Sequence, residues 1–129
     1  MSAAINTHAF ESRATVMVVE DDHDIRVSVR ALLEDEGFRV ITVTDGRRAL
    51  ELLEQARDLP SLIILDLMLP VMDGWNFANR VRVHPRLAKI PIVIMSAYED
   101  PPPPKGVVGF VKKPVNSDAL LSLVSTYCD

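Results

Sequence analysis

Leu62-Ile63-Ile64-Leu65-Asp66 is the stretch whose reading decides the fold. Four apolar residues with no polar alternation describe a strand buried on both faces, the habit of a central strand in a parallel sheet. Asp66 follows Leu65 without any polar transition. A carboxylate at the tip of a buried strand is costly unless it has partners or a task. Working outward, the same kind of apolar run recurs at Val16–Val19, at Ile92–Met95 after Pro91, and at Val107–Val111. Phe38–Val43 is a short, alternating strand whose apolar members are Phe38, Val40 and Ile41.

Helical spacing fills the intervals. Ile25, Val29, Leu32 and Leu33 form one apolar stripe, with Asp24 or a neighbour as the cap and Gly37 where a helix end is expected. Ala49, Leu50, Leu52 and Leu53 mark a second helix, preceded by Asp45 and Gly46 and ended by Pro60. Pro70 and Gly74 bracket a loop before a third helix, which turns Phe77, Val81 and Trp75 to the sheet. Ser117 caps a last helix carrying Leu120, Leu121 and Val124. Strands alternating with helices predict right-handed crossovers and an α/β, doubly wound single domain with a parallel sheet covered on both faces. Such sheets bind ligands at the carboxyl edge of the strands.

The chain has 129 residues, enough for one domain with a core that needs no disulfide or metal staple. Residues 1–13 carry no sustained period and read as a flexible tail, Phe10 resting on the domain; residues 14–129 form the domain. Fourteen basic against 18 acidic residues give a net charge of −4, which argues against direct nucleic-acid binding. The single cysteine, Cys128, excludes an internal disulfide and a thiolate metal cluster. No apolar run reaches the roughly 18 residues of a membrane span, and the N-terminal residues lack the pattern of a secretory leader. A cytoplasmic protein without membrane contact is the expectation.

Four strand ends carry the chemistry: Glu20-Asp21-Asp22, Asp66, Ser96 and Lys113. In a parallel sheet all four meet on one edge. Glu20, Asp21 and Asp66 would repel one another there unless a counter-ion were present. An all-oxygen set with few protein ligands suits Mg2+, which keeps waters and shares phosphate oxygens. Calcium is disfavoured, because no D-x-D-x-D-G loop occurs. Asp66 is a metal ligand or a nucleophile accepting a phosphoryl group as an acyl phosphate. Ser96 offers a hydroxyl, and Lys113 a point charge, to that group.

The stretches V-M-V-V-E-D-D, I-I-L-D-L-M-L-P-V-M-D-G, I-V-I-M-S-A and F-V-K-K-P resemble the receiver domain of two-component response regulators, over roughly residues 14–127. The resemblance implies a five-stranded sheet of order 2-1-3-4-5. It implies Asp66 as phosphoacceptor, Asp21 as direct magnesium ligand, Glu20 as its partner through water, and the Met68 backbone carbonyl as a further ligand. Ser96 then corresponds to the switch hydroxyl, Lys113 to the phosphate-binding lysine before Pro114, and Phe110 to an aromatic switch; Lys112 is a surface charge. A histidine kinase or phosphotransfer protein would donate the phosphoryl group, and a downstream protein would read the switched surface. The chain would be an acceptor rather than an enzyme. The competing readings are a pseudo-receiver that binds without phosphate and a magnesium-dependent aspartyl-phosphate phosphatase. The second wants another acid two places past the nucleophile, where Met68 stands.

One region departs from that family. Beyond Ser96 and before the fifth strand only about ten residues remain, among them Pro101–Pro104. Proline donates no backbone hydrogen bond and disfavours a helical conformation in the residue before it. The usual fourth helix is therefore expected to be shortened or replaced by a proline-rich loop, and a dimer through that helix is not expected. Met68 and Tyr98 sit two places beyond Asp66 and Ser96, bulky enough to slow loss of an acyl phosphate. With no further domain after residue 127, a stand-alone or excised receiver is expected.

Overall fold

The computed structural model describes residues 14–97 and 104–128. Five strands, β1 (Thr15–Val19), β2 (Arg39–Val43), β3 (Leu62–Asp66), β4 (Ile92–Ser96) and β5 (Val107–Lys112), form one sheet in the order β2-β1-β3-β4-β5. All four pairings are parallel, with a register irregularity at Ile92/Val93 opposite β5. Every residue of β3 and β4 is buried, as the apolar runs predict for central strands. The edge strand β2 alternates instead, only Val43 being fully buried.

Four helices cover the two faces: α1 (His23–Asp35), α2 (Gly46–Gln55), α3 (Gly74–Val83) and α4 (Ser117–Tyr127). Strand side chains alternate between faces, so the core divides in two. On one face Met17, Val19, Ile63, Leu65 and Ile94 pack against Leu50 and Leu53 of α2 and Phe77 and Val81 of α3. Trp75 joins this cluster half-buried, on the side that its spacing predicted. On the other face Val16, Val18, Ile64, Val93 and Met95 pack against Val29 and Leu33 of α1 and Leu120 and Val124 of α4.

The helix starts refine the expected caps. Asp22, not Asp24, caps α1, its Oδ1 accepting from the Ile25 amide at 3.0 Å. Asn116, not Ser117, caps α4 and accepts from Ala119 N at 2.9 Å. In both cases the cap is the last extended residue, whose side chain reaches back to the third helical amide; Asp24 and Ser117 already lie inside the helix. Asp45 and Asp73 cap α2 and α3 in the same way. Gly37 stands just past the α1 C-cap with φ 93°, a left-handed conformation that favours glycine.

The second helix stops at Gln55 rather than at Pro60. Its end is tied down by Arg86, whose guanidinium donates to the carbonyls of Leu53, Ala56 and Arg57. Leu53 O also accepts from the Ala56 amide, and Arg86 adds donors for carbonyls at the helix terminus, where intrahelical partners run out. Between β4 and β5 the described residues contain no helix: Ala97 bends away, and Pro104–Gly106 lead directly into β5. Pro101–Pro103 and Tyr98 lie outside the described residues, as does the tail 1–13 with Phe10.

Candidate functional site at the carboxyl edge

Three strand ends build the site. β1 delivers Glu20, β3 ends in Asp66, and β4 ends in Ser96; all three are buried, at 0%, 3% and 0% exposure. Lys113 follows β5 directly, and its amide donates to the Ser96 carbonyl at 2.8 Å. The Lys113–Pro114 peptide bond is cis. Asp21 is exposed beside the buried pair. Ligand atoms of Glu20, Asp21 and Asp66 all lie within 4.8 Å of one another.

The Lys113 ammonium holds this acidic group together. Its Nζ lies 2.7 Å from Glu20 Oε1 and 3.1 Å from Asp66 Oδ2. Asp66 Oδ1 accepts from the Met68 amide at 3.1 Å, so each carboxylate oxygen has a partner and keeps a second lone pair. Glu20 Oε2 accepts from Asp22 N at 3.0 Å. Glu20 Oε1 is buried against the Lys113 ammonium, with no other hydrogen-bond partner among the described residues.

Burial raises the Glu20 carboxyl to about 7, and the Asp66 charge adds to that, against the lowering influence of Lys113 and the Asp22 amide. For Lys113, burial works against the charged form. Glu20 and Asp66 outweigh it and hold the ammonium above its usual range. The arrangement is two buried carboxylates sharing one ammonium beside a third, exposed acid, a set short of positive charge. Its chemistry fits a divalent cation held by oxygen.

The backbone around Asp66 admits little change. A Cβ on Gly74 would lie 2.6 Å from Leu67 Cα and 2.7 Å from the Asp66 carbonyl oxygen, so only glycine fits where α3 starts beneath the strand end. Val71, in the intervening loop, has φ 68° although it is β-branched, and is 77% exposed. Met68, whose amide bonds Asp66, is half-exposed at 51%.

The predicted residues Glu20, Asp21, Asp66 and Lys113 are thus brought together, and Ser96 joins through the main chain. Phe110 lies on β5 paired with Ile94, 39% exposed on its strand, and Lys112 is exposed beside it. Sequence reasoning missed Arg26, whose Nη1 donates to the carbonyls of both Glu20 and Asp21 at 3.1 Å. Its only sequence signal is a cation one turn into the helix that follows the acid run.

Comparison with known proteins agrees with this geometry. The family model described as the response regulator receiver domain matches residues 16–125. The two-component response regulator ORR11 of Oryza sativa is 35% identical over 115 residues, covering 85% of this chain and 78% of that protein. The transcriptional regulatory protein AfsQ1 of Streptomyces coelicolor is 37% identical over 86 residues, 67% of this chain, but the match spans only 36% of AfsQ1. The chemotaxis response regulator CheY4 of Vibrio cholerae superposes with a TM-score of 0.80 at 32% identity, covering 90% of this chain and 99% of that one. With its strand order, its acidic edge and these matches, the chain belongs to the response regulator receiver domain family.

Proposed function

We propose that this receiver domain accepts a phosphoryl group on Asp66 from a phosphohistidine of a histidine kinase or phosphotransfer protein, in the cytoplasm, and thereby switches a protein-binding surface. The observation that carries this reading is the buried Asp66 carboxylate, fixed by the Met68 amide and Lys113 within 4.8 Å of two further acids. An Asp66 oxygen attacks phosphorus in line, the P–N bond to the donor imidazole breaks, and the imidazole leaves with the bonding pair. Lys113 offsets charge on the transferring oxygens. Glu20, Asp21, Asp66 and the Met68 carbonyl would hold Mg2+, which supplies positive charge to the phosphoryl oxygens when bound.

Ser96 then acts as the switch hydroxyl and Phe110 as the aromatic that follows it. Phosphorylation here is a signal in the manner of other local charge switches, and the chain is an acceptor rather than a turnover enzyme. The bulk of Met68 over the site favours slow loss of the phosphoryl group.

Incubation with magnesium and acetyl phosphate, read by intact mass, tests the proposal. A gain of one phosphoryl group, absent in Asp66→Ala and absent without magnesium, is expected. No gain in the wild-type protein would favour a pseudo-receiver that binds its partner without phosphate. Sustained release of phosphate from a small phosphomonoester would favour a phosphatase.

A further inference from the structure

We propose that Arg26 is a positioning residue for the acidic site, setting its affinity for a divalent cation by fixing the backbone that carries Glu20 and Asp21. The inference rests on the receiver reading and assigns a role within that site.

Consecutive residues of an extended chain send their side chains to opposite sides. Glu20 and Asp21 nevertheless bring carboxylate oxygens, one buried and one exposed, within 4.8 Å of each other and of Asp66. Holding both carboxylates on one site therefore depends on how the backbone of these two residues is fixed. Two anchors hold it. Glu20 N donates to Val43 O of β2 at 2.9 Å, which extends the strand ladder by one residue. Arg26 Nη1 then takes both following carbonyls, those of Glu20 and Asp21, at 3.1 Å each. Nη2 of the same side chain approaches His23 Nδ1 at 3.4 Å. Arg26 is half-buried and sits in the first turns of α1, a helix already fixed by the Asp22 cap. Its guanidinium thus links the frame of the helix to the backbone segment that carries two of the acids.

The charge of Arg26 and its geometry predict opposite effects on cation binding. As a positive charge near the site, Arg26 repels a divalent cation, so its removal would tighten binding. As a clamp on the acid-bearing segment, it preorganises the carboxylates, so its removal would loosen binding. Groups that orient metal ligands characteristically cost about tenfold or more in affinity when lost. The sign alone separates the two roles.

The experiment titrates Mg2+ into the unphosphorylated protein by calorimetry, for wild type, Arg26→Ala, Arg26→Gln and Arg26→Lys. It is paired with phosphorylation by acetyl phosphate as a function of magnesium concentration. We expect magnesium affinity to fall about tenfold in R26A and R26Q, with partial recovery in R26K, which keeps a donor of similar reach. The magnesium concentration that half-saturates phosphorylation should rise by a similar factor. Urea unfolding without magnesium identifies which variants are folded; if R26A is not, R26Q carries the test. Affinity unchanged or tighter in a folded variant overturns the role assigned to Arg26. Wild-type protein that binds no magnesium and gains no phosphoryl group overturns the receiver reading itself.

Discussion

Lys113 Nζ stands closer to Glu20, at 2.7 Å, than to Asp66, at 3.1 Å, so this ammonium is shared with an acid other than the proposed phosphoacceptor. Both carboxylates are buried, and neither has another cation at this range among the described residues. Removing one member of a buried ionic group leaves the remaining charges uncompensated. Lys113→Met should therefore lower stability by about 3–5 kcal/mol in magnesium-free buffer at pH 7.5, read by urea unfolding. Magnesium should recover part of that loss. An unchanged midpoint without magnesium would mean that the ion pairs contribute nothing net.

The Glu20 carboxyl gives the apo protein a pH dependence of definite sign. Its value rises from 4.5 to about 7 on folding, so the folded state holds a proton that the unfolded chain gives up earlier. The associated stability is fully present below about pH 4.5 and is lost as pH rises through about 7, a change of up to about 3 kcal/mol. Urea unfolding between pH 4.5 and 8 without magnesium should show this decline, superposed on the titration of the other carboxylates. Glu20→Gln should flatten it, and a variant with the wild-type slope would place the proton elsewhere.

Val71 carries backbone strain where its side chain contributes little. A β-branched residue at φ 68° costs about 1–2 kcal/mol, and at 77% exposure little apolar burial offsets that. Val71→Asn should stabilise the domain by about 1 kcal/mol in denaturant unfolding, because asparagine tolerates the left-handed region. Destabilisation would indicate that the side chain makes a contact worth more than the strain.

Gly74→Ala should act in the opposite direction. The added Cβ meets backbone at 2.6 and 2.7 Å, which no rotamer change can relieve. A loss of about 2 kcal/mol or more is expected from such overpacking. Because one of the crowded atoms is the Asp66 carbonyl, phosphorylation at saturating magnesium should also slow in protein that remains folded. Full activity with full stability would contradict the close approach of α3 to β3.

Much of this organisation was legible because burial leaves a periodic record. The unbroken apolar runs of β3 and β4 located the central strands within a residue of their ends, and Asp66 stood out because it broke such a run without transition. The strand order did not follow from periodicity; it came with the family resemblance. Helix caps were placed a residue or two late at Asp24 and Ser117, because Asp22, Asp24, Asn116 and Ser117 all have capping side chains and only the backbone conformation selects among them. The end of α2 was misplaced for a different reason. Arg86, far along the chain, supplies the donors that let the helix stop at Gln55, and no local pattern encodes that contact. Arg26 escaped notice likewise, since a cation in an exposed helical turn reads as a solvated surface charge.

The hydrogen bond from Lys113 N to Ser96 O, 2.8 Å long, continues the β4–β5 ladder one step past the last residue of β5. Ser96 and Lys113 are therefore not two independent groups that happen to share a pocket. They are coupled like the two ends of a single hinge pin. A displacement of the chain after Ser96 drags the main chain of Lys113 and its share of Glu20, while a pull on the ammonium is transmitted to the strand that carries the hydroxyl. In the proposed switch, occupancy of the acidic edge and movement of the β4–β5 surface would form one mechanical coordinate, with Phe110, three residues before Lys113 on β5, at its exposed end.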